Sequence, residues 1–158
     1  MSEDIAKVLK RLEYGVYVVT MGQGETGNAF TASWLTQISS EPPMVALAVH
    51  NKHQSAPLIK KHKAFAVNLI AKGQEAVAKT YYGPAESGYA KLEGYDVKEA
   101  PATKSPIIPG AVGYLDCTLE QAITTGNHSL YIGKIEAAKY ESDEPILTST
   151  NSNLRYTG

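Results

Sequence analysis

Gly22-Gln-Gly24-Glu-Thr-Gly27 has the spacing of a dinucleotide-binding glycine fingerprint and comes directly after a strand-like run. Glu41 lies roughly 20 residues on, where a ribose-binding acid would stand. That chemistry needs a helix N-terminus to receive the pyrophosphate. The residues after Gly27 are instead Asn28-Ala-Phe-Thr-Ala-Ser-Trp34, a period-two run ending at Pro42-Pro43, so the motif reads as a hairpin loop whose glycines supply positive φ. His50, His53 and His62 raise the question of a metal. His-x-x-His in a loop lacks the i,i+4 geometry of a helical zinc site and has no carboxylate at suitable spacing, so no metal is expected. Cys117 shares a strand face with Leu115 and Leu119 and is expected to be buried and unreactive. His128 is a histidine at the end of a turn, a position that is ordinarily just solvated.

Placement of these residues depends on elements that the periodicity reveals. Ile5, Val8, Leu9 and Leu12 recur at helical spacing, with Ser2 or Asp4 able to cap, which predicts a short amphipathic helix over Asp4–Leu12. Val16 to Thr20 is β-branched and aromatic, giving a strand over Gly15–Met21. Phe30 to Ser39 reads as one strand, with Phe30, Ala32, Trp34, Thr36 and Ile38 on one face and Thr31, Ser33, Leu35, Gln37 and Ser39 on the other. After the proline pair, Met44–Val49 is an apolar strand buried on both faces. Ala56–His62 reads as a short helix, Ala64–Ala71 as a buried strand containing one amide, Asn68, and Gln74–Tyr82 as a helix. A buried strand asparagine needs partners, so Asn68 reads as part of a structural network. Residues 83–109 have no period and mark a long surface excursion. Gly113–Ile123 and Ser129–Tyr140 are strands joined by a turn at Gly126-Asn127. About six strands with few helices make a mainly β chain, a barrel in preference to a βαβ stack. The tail, residues 141–158, is polar and carries no clear pattern.

With 158 residues and 43% hydrophobic positions, one domain spanning 1–158 is expected. A formal net charge of −1 and no basic stripe argue against nucleic acid as a partner. The first residues lack the apolar core of a signal peptide and no stretch reaches membrane-span length, so a cytoplasmic protein without membrane association is expected. One cysteine can form neither an internal disulfide nor a thiolate cluster.

Several segments together resemble a known family. They are Thr31-Ala-Ser-Trp34, Ser39-Ser-Glu-Pro-Pro43, Asn51-Lys-His-Gln-Ser55, Leu58-Ile59, Phe65-Ala-Val-Asn68, Leu115-Asp-Cys117 and Gly126-Asn-His128-Ser-Leu-Tyr-Ile-Gly133. The chain from about Gly15 to Gly133 is similar to the flavin-reductase-like family, an FMN-binding split barrel that is usually homodimeric. The resemblance implies FMN as cofactor, with FAD left open, and NADH or NADPH as reductant. It places Thr31, Ala32, Ser33 and Trp34 along the isoalloxazine and ribityl chain. Ser39 shapes the turn before the proline pair and is carried with the binding residues. Ser55 and Lys52, with Asn51 behind them, would hold the phosphate: a hydroxyl and an ammonium three residues apart, just before a helix start. Taken alone, Asn51 and Ser55 fit a turn and a helix cap equally well, with Lys52 solvated. The family's Gly-Asp-His turn puts His128 on the nicotinamide side as the catalytic candidate. Here Asn127 replaces the aspartate and cannot supply the negative charge that would raise the imidazole pKa.

The leading reading is an NAD(P)H-dependent flavin reductase. Two others stay open: a flavoredoxin-type protein exchanging electrons with a rubredoxin-like iron protein, and a flavin store or assembly module. Arg11 and Arg155 are the only arginines, which leans towards NADH, since a 2′-phosphate favours an arginine pair. Lys91, Tyr89 and the tail around Tyr156 are candidates to complete a site in either subunit of a dimer. Tyr81, Tyr82, Tyr89 and Tyr95 suit an interface or an aromatic lid.

Overall fold

In the computed structural model, which describes residues 1–82, 92 and 97–158, the β-branched runs become the inner strands of one antiparallel sheet. Its strands are β1 (Tyr17–Met21), β2 (Asn28–Ala32), β3 (Leu35–Ser40), β4 (Pro43–His50), β5 (Ala64–Leu69), β8 (Gly113–Thr125) and β9 (His128–Tyr140). They lie side by side in the order β2-β1-β5-β8-β9-β4-β3. A separate two-strand ribbon joins β6 (Lys98–Glu99) to β7 (Pro106–Ile107). The described residues include helices α1 (Glu3–Leu9), α2 (Ser55–His62) and α3 (Glu75–Thr80), and a 3-10 turn at Gly24–Thr26 occupies the rejected glycine motif.

The strand order forces the sheet to roll up. Laid flat, six spacings of about 4.8 Å would hold β2 and β3 roughly 29 Å apart, yet they are the two ends of the row and consecutive in the chain. From Ala32 to Leu35 the chain reaches at most roughly 11 Å, so the ends must meet. They meet without a ladder: Ser33 and Trp34 turn from one strand into the other, and the Trp34 carbonyl accepts the Ala48 N–H at 2.8 Å. The result is a barrel with a seam between β2 and the end of β4.

Alternation along the strands then fills two cores. Val19 and Met21 of β1 pack inside with Phe30, Leu47, Phe65, Val67 and Tyr131, and α2 adds Ala56 and Ile59. The next-door residues Val16 and Val18 point outwards into a second cluster with Ala78, Tyr81, Ile108 and Leu147. Burial on both faces explains why β1 and β5 read as continuous apolar runs. The inner core is tight enough that Gly133 is required by space: a Cβ there would lie 2.5 Å from the Phe65 ring.

Three sequence expectations change. The single strand over Phe30–Ser39 is two strands, at opposite ends of the row, which makes seven strands in the main sheet and leaves Ile38 half exposed. The period-two pattern runs straight through the break because Ser33 and Trp34 suit a strand locally. The N-terminal helix stops at Leu9 and buries nothing: Ile5, Val8 and Leu12 are 52%, 66% and 49% exposed. The tail is built into the fold, with Leu147 fully buried, its N–H donated to the Ile70 carbonyl and its carbonyl accepting the Val16 N–H. Tyr89, Lys91 and Tyr95 lie outside the described residues.

Candidate active site

A cleft of about 410 Å³ opens at the seam. Edge strand β2 forms one lip and the end of β4, Ala48 to His50, forms the other. The loop into α2 closes one end, Tyr82 and the tail residue Tyr156 stand at the mouth, and the buried Tyr81 lines the wall behind them. The volume falls within the range of small-molecule sites.

Each part is held from behind. Ser55, first residue of α2 and 1% exposed, accepts a hydrogen bond from Asn28 Nδ2 at 3.0 Å, which ties the helix start to β2. The loop before it is set by two imidazoles. His50 Nδ1 accepts the Lys52 N–H and His53 Nδ1 accepts the Ser55 N–H, each at 3.1 Å. Both rings therefore carry their proton on Nε2. The first amides of α2 are spent inside this loop, the Ser55 N–H on His53 Nδ1 and the Ala56 N–H on the His53 carbonyl at 3.1 Å, and Pro57 has none, so the cleft end is left with the side chains of Lys52, Gln54 and Ser55. On the β2 lip the Thr31 N–H reaches the Tyr81 carbonyl at 3.1 Å, and strand alternation turns the Ala29 and Ser33 amides the same way.

Beside the mouth is an aromatic group. Trp34 lies 4.9 Å from the His128 ring and 5.0 Å from Tyr156, which meets it edge-on, and His50 stands edge-on to His128 at 5.0 Å. His128 is buried, with Nδ1 2.7 Å from Asn127 Oδ1 and Nε2 2.9 Å from the Tyr156 hydroxyl. An amide oxygen only accepts, so the imidazole proton sits on Nδ1 and Nε2 takes the phenolic hydrogen. Burial first, and then the neighbouring His50, hold the His128 pKa below its usual value. Burial, with Tyr82 adding to it, raises that of Tyr156. The Cys117 thiol is pushed up to about 12 by burial in the inner core, with Asp116 and Glu136 adding, which leaves no thiolate to react.

Among the residues singled out from sequence, Thr31, Ala32, Ser33, Lys52 and Ser55 are brought together on the cleft wall. Trp34 and His128 stand one layer behind it, in the aromatic group. Asn51 is turned to the β8–β9 hairpin, where Nδ2 donates to the Gly126 carbonyl and Oδ1 accepts from Ser129 Oγ. Ser39 sits on β3 opposite Met44, beside a register shift, and does not line the cleft. Asn68 is fully buried: Nδ2 donates to the Val18 carbonyl and Thr20 Oγ1, and Oδ1 accepts the Ile108 N–H. It is a structural tie, as its setting among apolar residues suggested. Asn28, His50 and Gln54 were not singled out for this cleft. Only contact across the seam reveals them, since nothing in their local pattern separates them from loop or strand residues.

The donor set suits a flavin phosphate ester. An apolar lip of Ala48 and Val49 can take a planar ring, strand amides can meet a polar ring edge, and the Ser55 hydroxyl and Lys52 ammonium can meet an anion.

The comparisons agree with this geometry. The chain is 32% identical over 147 residues to the reductase component of 4-hydroxyphenylacetate 3-monooxygenase from Thermus thermophilus, covering 93% of this chain and 91% of that protein. It is 27% identical over 143 residues to a high molecular weight rubredoxin of Moorella thermoacetica, covering 89% of this chain and 62% of that longer protein. Its fold matches the solved NADH:FAD oxidoreductase of Streptomyces globisporus with a TM-score of 0.82 and 25% identity, over 91% of this chain and 86% of that one. The profile described as flavin reductase like domain matches residues 9–158, so the seamed barrel and its cleft are those of a member of the flavin-reductase-like family.

Proposed function

We propose that this protein is an NADH-dependent flavin reductase that holds FMN in the seam cleft, and the observation that carries the reading is the polar end of that cleft. Ser55, the first residue of α2, and Lys52, in the loop before it, offer a hydroxyl and an ammonium to one phosphate. When bound, the flavin supplies a two-electron acceptor at N5 for hydride from nicotinamide C4. The chain's own work is positioning. Ser55, fixed by Asn28, anchors the phosphate; the β2 amides orient the ring edge; Ala48, Val49 and the tyrosines at the mouth exclude water. A cleft of this size supports FMN over FAD, whose adenosine half would lie outside it. NADH is supported over NADPH because the Arg155 guanidinium is already engaged, donating to the Leu12 carbonyl and lying over the Tyr14 ring.

A second reading, an electron-transfer flavoprotein working with a rubredoxin-like iron protein, is supported by Asn127, which withholds a charge from His128, and by the rubredoxin relative. Anaerobic reconstitution with FMN followed by NADH and then NADPH separates the two. Bleaching of the flavin visible band by NADH is expected. A flavin that stays oxidised with both nucleotides yet bleaches with dithionite would overturn the reductase reading in favour of the second.

A homodimer belongs to this proposal, supported by the apolar face that α1 leaves in water. So does a cytoplasmic location, which the unpaired thiol suits; no helix among the described residues is long and apolar enough to cross a membrane.

A further inference from the structure

The histidine beside the cleft does not line it, whereas the tyrosine bonded to that histidine does. Tyr156 reaches the mouth from the tail, 28 residues beyond His128, and three contacts fix its ring. Trp34 packs edge-on at 5.0 Å, the His128 ring lies edge-on at 5.9 Å, and the hydroxyl is 2.9 Å from His128 Nε2. A phenol has one hydrogen to donate and two lone pairs. Asn127 holds the His128 proton on Nδ1, so the phenolic hydrogen is spent on Nε2 and what remains at the phenol oxygen is acceptor capacity.

We propose that Tyr156 contacts the reductant, its phenol oxygen accepting an N–H of the nicotinamide carboxamide, and that Asn127 and His128 act behind it as positioning residues that aim those lone pairs into the cleft. The inference rests on the reductase reading and adds a specificity to it. An acceptor suits a primary carboxamide, which carries N–H donors, and does not suit an acetyl group, which carries none. The neutral phenol that this needs agrees with the direction in which burial moves the Tyr156 pKa. The Asn127-His128 pair thereby takes a role that needs no charge on the imidazole.

The test compares NADH with the reduced 3-acetylpyridine analogue, in which a methyl replaces the amide nitrogen, in the FMN-loaded protein and its Tyr156→Phe variant. Binding of both oxidised dinucleotides is followed in parallel by the fluorescence of Trp34, the single tryptophan, which touches Tyr156. One lost hydrogen bond is expected to raise KM and Kd for the natural dinucleotide about three- to tenfold in Tyr156→Phe, with kcat little changed. The wild type should discriminate against the analogue by a similar factor and the variant should not. His128→Ala should lose the same discrimination while keeping flavin affinity. If Tyr156→Phe loses affinity for both dinucleotides equally, or for neither, the carboxamide contact is overturned. Failure of NADH to reduce or bind the wild type would instead overturn the reductase reading itself.

Discussion

At the scale of single residues, hydrogen bonds that run away from the cleft shape its walls. His50 and His53 each spend Nδ1 on a backbone amide of the loop that carries Lys52 and Ser55, so two imidazoles shape that end of the cleft. His128 spends both nitrogens, and the groups facing it are His50 from β4, Tyr156 from the tail and Asn127 from its own turn. With its folded-state pKa below 6.5, the folded protein binds less proton than the unfolded chain as the pH falls past that value. The stability present above 6.5 is therefore lost on acidification, down to the lowered pKa. Thermal denaturation from about pH 7.5 to about pH 5.5 is expected to show a falling Tm, and His128→Gln a shallower fall. An equal slope in both would place the dependence elsewhere.

At the scale of elements, the sequence was most legible where burial is two-sided. The strands expected over Gly15–Met21, Met44–Val49 and Ala64–Ala71 appear as β1, β4 and β5 with ends shifted by one or two residues. Asn68 stood out as the one amide in such a run, and its three hydrogen bonds join β5 to β1 and to Ile108. Asn68→Ala strands the buried Ile108 N–H and is expected to lower unfolding free energy by about 3 kcal/mol in urea titration, with flavin stoichiometry unchanged. The break between β2 and β3 was not legible, since nothing about Ser33-Trp34 is unlike a strand; only the closure of the sheet demands it. The tail was equally opaque. Leu147 and Tyr156 carry no period, and their meaning lies in partners far back along the chain, Val16 and His128. For the site, the family resemblance marked Ser55, Lys52 and the Thr31–Ser33 lip, but could not say that Asn51 faces the hairpin or that Tyr156 stands in front of His128.

At the scale of the molecule, one chain leaves α1 with its apolar residues in water, though a helix this short derives most stability from packing. Pairing of two copies would supply that packing. Sedimentation equilibrium is expected to return about twice 17.0 kDa, and the joint change Val8→Glu, Leu12→Glu to shift the mass towards one copy. A single-copy mass for the unaltered protein would sink the homodimer.

The seam has a mechanical meaning as well. A tube slit along its length keeps most of its resistance to bending but surrenders much of its resistance to torsion, because shear can no longer flow around the circumference. Here the slit runs between β2 and the end of β4, bridged near Trp34 and Ala48 and otherwise lined by the cleft. Twisting is thus the soft deformation of this barrel, and it slides the two lips past each other. A bound molecule that grips both lips restores the closed section, so the rigidity of the whole wall, and not of the pocket alone, becomes a property of the filled state.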